Sequence, residues 1–311
     1  MSEDEKYMAR CLQLARNGET GAPPNPMVGA VIVADGRIIG EGWHRRCGGP
    51  HAEVNAIASV TEADRSLLHQ ATIYVSLEPC SHWGKTPPCA DLIIQHGIPR
   101  VVCGCEDPFA EVQGRGIQRL RDAGCEVVVG VLEAECKWLN RRFITMHTQH
   151  RPWVTLKWAQ SADGFIDRLR ASCSDGDPIR FSDHRTQTLV HRLRATHQAI
   201  LVGRRTFELD KPELTTRLWP GPSPLRCLLS TSMAPIAGWR VYTSVEDCLS
   251  DLYQQGVQSL LVEGGRQTLQ AFIDAGFWDE AYVEKTDILL YEGVAAPSIT
   301  PNGRPVHVNF T

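Results

Sequence analysis

The alternation of hydrophobic and polar residues divides the chain into short strands and helices. In the first half, apolar residues recur three and four positions apart over residues 3–17, which predicts an amphipathic helix. VGAVIVA and RIIGEGW flank Asp35-Gly36, a pair typical of a β-hairpin turn. The same patterns then predict strands at 72–77, 100–105 and 125–131, and helices at 51–59, from Cys89, at 117–123 and at 133–147.

The pattern changes at Arg151-Pro152. WVTLKWA and AILVG are predicted strands, with a helix at about 182–195 between them. SLLVEGG passes through Gly264-Gly265 into the helical RQTLQAFIDAG, and LRCLLS, DEAYVEK and VHVNF are further strands. Alternating strands and helices predict a mostly parallel sheet with helices on both faces. We therefore expect two α/β domains, residues 1–149 and 150–311, the first with three layers.

Composition narrows the classes of function. The 311 residues carry a net charge of −4, with 42% hydrophobic and 22% charged residues, as in a globular protein. Neither half is basic, so neither offers the surface that a long nucleic acid requires. No apolar run approaches a membrane span, and MSEDEKYMAR has no apolar signal core. We expect a cytoplasmic protein without a nucleic-acid or membrane partner, whose cysteines are reduced.

A histidine and two cysteines form a candidate metal site. His51 lies where a helix is predicted to begin, Cys80 follows a predicted strand, and Cys89 opens the next helix. Three such ligands are what a catalytic zinc keeps when its fourth position is open to water. H-x-E followed by P-C and a second cysteine is the signature of zinc deaminases, in which the glutamate, here Glu53, transfers protons. Helix N-termini also favour the thiolates that bind zinc.

A structural zinc is the alternative. Cys47 shortly precedes His51 and is close enough to complete a four-ligand site, with His44 and His82 also nearby. A structural site has no use for Glu53, however, and Cys47 lies in the glycine-rich RRCGGPH, which is typical of a substrate loop. We therefore favour a catalytic site.

The catalytic interpretation predicts hydrolytic deamination. Zinc lowers the pKa of water toward neutrality, which supplies hydroxide to attack a ring carbon bearing an exocyclic amine. Glu53 is expected to take the proton of that water. It would return the proton first to the ring nitrogen and then to the departing ammonia.

The motifs resemble those of the bifunctional deaminase/reductase family of riboflavin biosynthesis. HAEVNA and PCSHWGKTPPC resemble its deaminase half, whose TPPC loop is longer than the C-x-x-C of nucleic-acid-editing deaminases. NPMVGAVIV fits the same family, in which its asparagine, Asn25 here, helps to hold the pyrimidine. Five later segments resemble, in the same order, the reductase half of that family: KWAQSADGFID, HRLRA, AILVGRRT, DKPELTTR and LLVEGG.

The resemblance implies a cytidine-deaminase-like domain followed by a dihydrofolate-reductase-like domain that uses NADPH. The first would hydrolyse the amine of 2,5-diamino-6-ribosylamino-4(3H)-pyrimidinone 5′-phosphate, and the second would reduce the ribosyl chain of the product to ribityl. The resemblance also suggests a homodimer formed through the second domain.

Residue by residue, the resemblance assigns roles to matching positions. The zinc ligands would be His51, Cys80 and Cys89, with Glu53 as the proton shuttle. The NADPH contacts would be Ala159, Thr206, Asp210, Gly264 and Gly265. The substrate contacts would be Asn25, Arg194, Leu214, Arg217 and Glu263, the arginines being suited to its phosphate. Read singly, Asn25 also fits an ordinary turn, Leu214 the core, Arg194 a solvated helix face and Gly264-Gly265 a tight turn.

The second half departs from the family pattern at three places. Pro178-Ile179-Arg180 stands where the family often has Ser-x-Trp, which loses a hydrogen bond to substrate and an aromatic contact beside the nicotinamide. Lys211 replaces an acidic residue of the usual Asp-Asp-Pro, and the link from LRCLLS to the VEGG strand is brief. Arg204 and Arg205 are our own candidates for a 2′-phosphate contact that favours NADPH over NADH, and surface arginines are the alternative.

Two other functions stay open. One is a nucleoside or tRNA-base deaminase with an unrelated tail, which absence of NADPH binding would favour. The other is a deaminase whose second domain binds ligand without turnover, for which Pro178 and Arg180 argue.

Overall fold

The computed structural model describes residues 1–81, 87–108 and 113–310, which divide into two units, Met1–Gln149 and His150–Thr311. The first unit contains α1 (Glu3–Ala15), β1 (Gly29–Ala34), β2 (Arg37–Trp43), α2 (Ala52–Ala58), β3 (Thr72–Val75), α3 (Cys89–Gln95), β4 (Arg100–Cys103), α4 (Arg115–Asp122), β5 (Glu126–Val129), α5 (Glu133–Leu139) and α6 (Arg141–Gln149). The second contains β6 (Trp153–Gln160), β7 (Phe165–Asp167), α7 (His184–Thr196), β8 (Ala199–Gly203), α8 (Arg204–Asp210), β9 (Leu225–Leu229), β10 (Arg240–Tyr242), α9 (Val245–Gln254), β11 (Ser259–Glu263), α10 (Arg266–Asp274), β12 (Glu280–Lys285), β13 (Val294–Ala295) and β14 (Val306–Val308). Short 3-10 segments lie at Arg16–Gly18, Glu62–Gln70 and Cys173–Asp175.

The sheet of the first unit runs β2-β1-β3-β4-β5. The predicted hairpin is confirmed, since β1 and β2 pair antiparallel around Asp35 and Gly36, both with positive φ. β3, β4 and β5 are parallel to one another. All of β1 is buried, because α1 packs on one face of it and α2 with α3 on the other. These are the three layers that the sequence predicts.

Two glycines bring α2 down onto the sheet. A Cβ on Gly42 would lie 2.4 Å from the backbone nitrogen of Ala56 and 2.5 Å from the carbonyl oxygen of Ala52. A Cβ on Gly40 would lie 2.6 Å from the carbonyl oxygen of Ala56. The helix that begins beside His51 therefore rests directly on the backbone of β2, and its depth is set by these two positions.

The single helix predicted at 133–147 is wrong, because the chain breaks at Asn140 into α5 and α6. The buried side-chain amide of Asn140 pairs with both backbone groups of Met27, accepting from its N–H at 2.8 Å and donating to its carbonyl at 2.9 Å. A helix running through Asn140 would compete with these bonds for the orientation of the side chain. The break therefore anchors the loop that carries Asn25.

The second unit contains a seven-stranded sheet in the order β10-β9-β8-β11-β6-β12-β14. Its paired strands are parallel, with one apolar cluster on each face, so the predicted parallel sheet is confirmed. The link between β9 and β11 is not brief, since it contains β10 and the ten residues of α9. Among the described residues, none of the helices has the length and apolar character that a membrane crossing requires.

We predict that Gly42→Ala destabilises the first unit by about 1–3 kcal/mol, because the new methyl group would overlap the backbone of α2. The measurement is the free energy of unfolding in urea. Ile38→Ala, at a 39% exposed position of the same strand, is the control and should change it by much less. Equal effects of the two substitutions would contradict the close packing of α2 on β2.

Candidate active sites

Three elements of the first unit bring the predicted zinc ligands together. His51 precedes the first residue of α2, Cys80 lies on the loop after β3, and Cys89 is the first residue of α3. The Nδ1 atom of His51 lies 3.6 Å from the Sγ of Cys80 and 3.4 Å from the Sγ of Cys89. A tetrahedral zinc with ordinary Zn–N and Zn–S bonds separates such donors by about 3.6 Å. The donor set therefore fits zinc in both chemistry and spacing.

Hydrogen bonds within this cluster favour a thiolate, the form of cysteine that binds a metal cation. The Cys89 thiol donates a hydrogen bond to the Sγ of Cys80. This bond, together with those from His51 and from the Cys89 backbone N–H 3.3 Å away, lowers the pKa of Cys80 to about 4. The same bond raises the pKa of Cys89, where burial adds to the effect. The two thiols thus favour one shared proton and one negative charge for the pair, which suits a bound cation. A bound zinc ion replaces that proton.

Glu53 lies on the first turn of α2, beside the cluster, and its side chain is 3% exposed. Burial raises the pKa of this carboxyl to about 7, against the opposing influence of His51. A carboxyl group that titrates near neutral pH is suited to take up and return a proton.

The four-ligand alternative receives no support from the positions of its residues. The group of clustered ligand atoms found among the described residues consists of His51, Cys80 and Cys89, all within 4.8 Å of one another. Cys47 is exposed, and its Sγ lies 3.7 Å from the Oδ1 of Asn25. His82 lies outside the described residues.

Sequence reasoning named His44 only as a spare metal ligand, but its ring is part of the site in another way. Its Nδ1 lies 3.0 Å from the carbonyl oxygen of Pro50, so Nδ1 carries the proton and Nε2 accepts from the Asn25 amide at 3.1 Å. Burial lowers the pKa of His44 and so favours the neutral form of the ring. The ring therefore sets which way the amide of Asn25 points. The sequence signal, the first histidine of HRRCGGPH, does not specify this partner.

A cleft of about 1310 Å³ opens along the second unit. It lies past the carboxyl ends of β6, β8 and β11, where open parallel sheets bind ligands. Cationic side chains line it at Lys157, Arg168, Arg170, Arg180, Arg204, Arg205 and Arg266. The residues predicted to contact the cofactor all line it as well, namely Ala159, Thr206, Asp210, Gly264 and Gly265.

The end of β8 and the start of α10 lie close together at the cleft. A Cβ on Gly203, the last residue of β8, would lie 2.1 Å from the Oγ1 of Thr268 in α10. The hydroxyl of Thr206 accepts the backbone N–H of Gly265 at 3.0 Å, which ties α8 to the start of α10. The glycines at 264 and 265 leave the backbone uncovered here, as an anionic cofactor requires.

The residues predicted to contact substrate in the second unit divide into three environments. Arg194 pairs with Glu263 through two hydrogen bonds of 3.0 and 2.7 Å and also donates to the carbonyl of Thr215. Arg194, 13% exposed, is thus a largely buried partner of Glu263, which lines the cleft, and not a solvated helix face. Leu214 packs in the apolar cluster on one face of the sheet, and Arg217 is exposed, 3.3 Å from Glu213.

Lys157 is a candidate that sequence reasoning did not identify. It lies on β6 and lines the cleft, and its pKa is lowered by burial against the attraction of Glu263 and Glu284. A partly buried lysine beside two carboxylates, at a cleft, is a candidate site of function. The available signal was a lysine within the otherwise apolar WVTLKWA strand.

A second unpredicted residue, Arg170, joins two walls of the cleft. Its side chain is 2% exposed and donates to Asp167 and to Asp210, the latter at 2.5 Å. Arg204 and Arg205 are both exposed, but Arg205 donates to the carbonyl of Arg170, whereas Arg204 lies 3.2 Å from Glu208. Arg170 neutralises Asp210, which would otherwise repel an anionic ligand in the cleft.

Comparison with known proteins agrees with both halves. The family model of the cytidine and deoxycytidylate deaminase zinc-binding region matches residues 1–105, and that of the RibD C-terminal domain matches residues 152–290. The riboflavin biosynthesis protein RibD of Aquifex aeolicus is 36% identical, over 94% of this chain and 89% of that protein.

Solved structures extend the likeness to the whole fold. A diaminohydroxyphosphoribosylaminopyrimidine deaminase/5-amino-6-(5-phosphoribosylamino)uracil reductase from Thermotoga maritima has a TM-score of 0.85 and 38% identity, with 94% of this chain and 89% of that one covered. RibD of Acinetobacter baumannii has a TM-score of 0.81 and 30% identity, with the same coverage. Fold and site thus define a cytidine-deaminase-like zinc domain followed by a dihydrofolate-reductase-like domain. The chain belongs to the RibD family of bifunctional riboflavin-biosynthesis deaminase/reductases.

We predict that Arg170→Met destabilises the second unit by about 3 kcal/mol, because it leaves Asp167 and Asp210 without their shared counter-charge. The measurement is unfolding in urea. Arg204→Met, which removes an exposed ion pair from the same cleft wall, is the control and should cost less than about 0.5 kcal/mol. A loss at Arg170 no larger than the control would contradict its role in joining the two walls.

Proposed function

We propose that the first unit hydrolyses the exocyclic amine of 2,5-diamino-6-ribosylamino-4(3H)-pyrimidinone 5′-phosphate and that the second reduces the ribosyl chain of the product with NADPH. The observation that carries the first half is the donor triangle of His51, Cys80 and Cys89, with spacings that suit zinc, beside the buried carboxyl of Glu53. The substrate is that of the solved relative by its name.

The residues of the first unit have separate tasks in this reaction. His51, Cys80 and Cys89 would hold zinc, which when bound lowers the pKa of water toward neutrality and so supplies hydroxide. Glu53 takes one proton from the water and delivers it to the ring nitrogen, and it then carries the second proton, from the hydroxyl added to the ring carbon, to the amine that leaves as ammonia. Asn25, whose amide is oriented by His44, presents its Oδ1 to the pyrimidine.

The second unit supplies a positively charged cleft for two anionic ligands. Gly264 and Gly265 would face the phosphates of NADPH with their backbone N–H groups, at a point that Thr206 stabilises. Glu263 and Lys157 face the reacting end of the substrate, where the lysine ammonium suits the oxygen that gains negative charge as hydride arrives. Close placement of the two ligands supplies most of the rate enhancement.

A homodimer and a cytoplasmic location stay predictions, as do the substrate contacts of Arg194, Leu214 and Arg217. Because Arg194 is already paired with Glu263, its task in the proposal is to orient that carboxylate. Arg217, which is exposed, is the better candidate for the phosphate.

The function is tested by mass spectrometry of the products formed from the diaminopyrimidine substrate by zinc-loaded protein. We expect deamination alone without NADPH and a ribityl product with it. Glu53→Gln should keep its zinc and form neither product, because the proton shuttle is lost while the three ligands stay. Deamination that never proceeds to reduction would favour a second domain that only binds ligand, and absence of NADPH binding would favour a base deaminase with an unrelated tail.

The two adjacent arginines of α8 allow a test of cofactor preference. We expect Arg204→Ala to raise the KM for NADPH about tenfold and leave that for NADH unchanged, because its exposed guanidinium is accessible to a 2′-phosphate. Arg205→Ala is the matched neighbour; since Arg205 bonds the carbonyl of Arg170, it should affect both cofactors equally. Unchanged preference in both variants would rule out a 2′-phosphate contact at this helix.

A further inference from the structure

The carboxylate of Glu78, two residues before the zinc ligand Cys80, is 4% exposed and accepts four backbone hydrogen bonds. Its Oε2 accepts from Asp107 at 3.2 Å and from Gly114 at 2.9 Å. Its Oε1 accepts from Gly116 at 2.9 Å and from Ile117 at 3.2 Å. Donors on both sides of the segment that the structure leaves undescribed, 109–112, thus converge on one side chain.

Glu78 takes the place of the missing cap of α4. The residue that precedes this helix is Gly114, which has no side chain to accept the free N–H groups of the first turn. Gly116 and Ile117 are the second and third residues of the helix, and their N–H groups point to Glu78 instead. A negative charge at this end also interacts favourably with the helix dipole.

The start of α4 also packs directly against the backbone that precedes Cys80. A Cβ on Gly116 would lie 2.0 Å from the carbonyl oxygen of Pro79, so the start of α4 touches this carbonyl. On the other side, the N–H of Glu78 donates to the carbonyl of Cys105 at 2.9 Å. The backbone just before the ligand is therefore held from two directions.

The backbone of Cys80 itself is held by α3. Its carbonyl accepts the N–H of Ala90 at 3.2 Å, and its Sγ accepts the N–H of Cys89 at 3.3 Å. α3 thus fixes Cys80 relative to Cys89, while Glu78 fixes the same loop relative to β4 and α4. Loss of the Glu78 bonds would release one of these two constraints on the sulfur.

We infer that Glu78 is a positioning residue for the metal site, which sets the place of the Cys80 sulfur through the loop between β3 and α3. The inference rests on the proposed zinc site. A purely structural role, the capping of α4, would lower the stability of the first unit and leave metal coordination as it is. Groups that orient metal ligands without touching the metal typically change affinity by about 10–100-fold when they are replaced.

Glu78→Gln keeps the shape of the side chain but removes its charge and turns an NH2 group toward two of the backbone donors. Asp4→Asn is the matched control: it also weakens a carboxylate of the first unit, one that accepts bonds from Arg100 and Tyr74. Asp4 meets Arg100 at the first residue of β4, whereas Glu78 bonds the chain after the last residue of that strand. Both variants should lose thermal stability.

The deciding measurements are zinc affinity, by competition with a chelator, and the absorption spectrum of the full-length protein loaded with cobalt(II). We expect Glu78→Gln to bind zinc about 10–100-fold more weakly and to shift the cobalt–thiolate bands, while Asp4→Asn matches the wild type in both. Glu78→Asp, which keeps the charge but shortens its reach, should weaken zinc binding as well and decides the matter if Glu78→Gln does not fold.

Two outcomes would overturn the inference in distinguishable ways. Wild-type affinity and spectrum in the Glu78 variants, with stability lowered as in Asp4→Asn, would reduce Glu78 to a helix cap. Absence of zinc binding by the wild-type protein would overturn the zinc site and the role of Glu78 together.

Discussion

Backbone N–H groups at the ends of strands and the starts of helices need partners, and in this protein the side chains that supply them also place the functional groups. Buried amides that lose water must be paired or their desolvation destabilises the fold. Glu78 satisfies four such groups beside Cys80, and Asn140 satisfies both backbone groups of Met27 near Asn25. Thr206 does the same for Gly265 in the second unit.

In the second unit, buried charged side chains are likewise paired with nearby groups of opposite charge. Arg170 is buried and Arg194 largely buried, and both are bound to carboxylates, so they hold the cleft in shape and contribute little free positive charge to a ligand. Arg204 lies at the surface of the cleft, where water screens its pairing with Glu208 and a phosphate can displace it. Burial, more than residue type, therefore separates the arginines that hold the cleft together from those that are accessible to a ligand.

The parts of the fold that depend on neighbours in sequence were predictable. The hairpin at Asp35-Gly36 follows from a turn pair, and the three ligand positions follow from motifs that lie at helix starts and a strand end. The break at Asn140 could not be predicted, because its partner, Met27, lies 113 residues away. The same holds for Arg170 and Asp210, which periodicity leaves as two separate polar residues.

For the second unit, the sequence predicts which positions have a functional role, but not which way their side chains face. A motif such as DKPELTTR marks where a residue stands in the family, but it does not tell whether the side chain faces a ligand or the core. Leu214 shows the difference, since its φ of 53° is unusual for leucine and its side chain packs with Ile200 and Leu228. The backbone of such a residue is what remains available to a ligand.

The departure at Pro178-Ile179-Arg180 changes the side chains that the segment presents to the cleft, whereas hydrogen bonds of the segment itself fix the course of its backbone. The N–H of Ile179 donates to Asp167 at 3.1 Å, and the hydroxyl of Ser182 donates to Glu284 at 2.5 Å. Proline removes the hydroxyl that the family's serine would supply. Arg180 is exposed and lines the cleft, where it places a positive charge. Arg180 therefore adds positive charge to the cleft at a position where the family pattern predicts an aromatic residue, and added positive charge favours an anionic ligand.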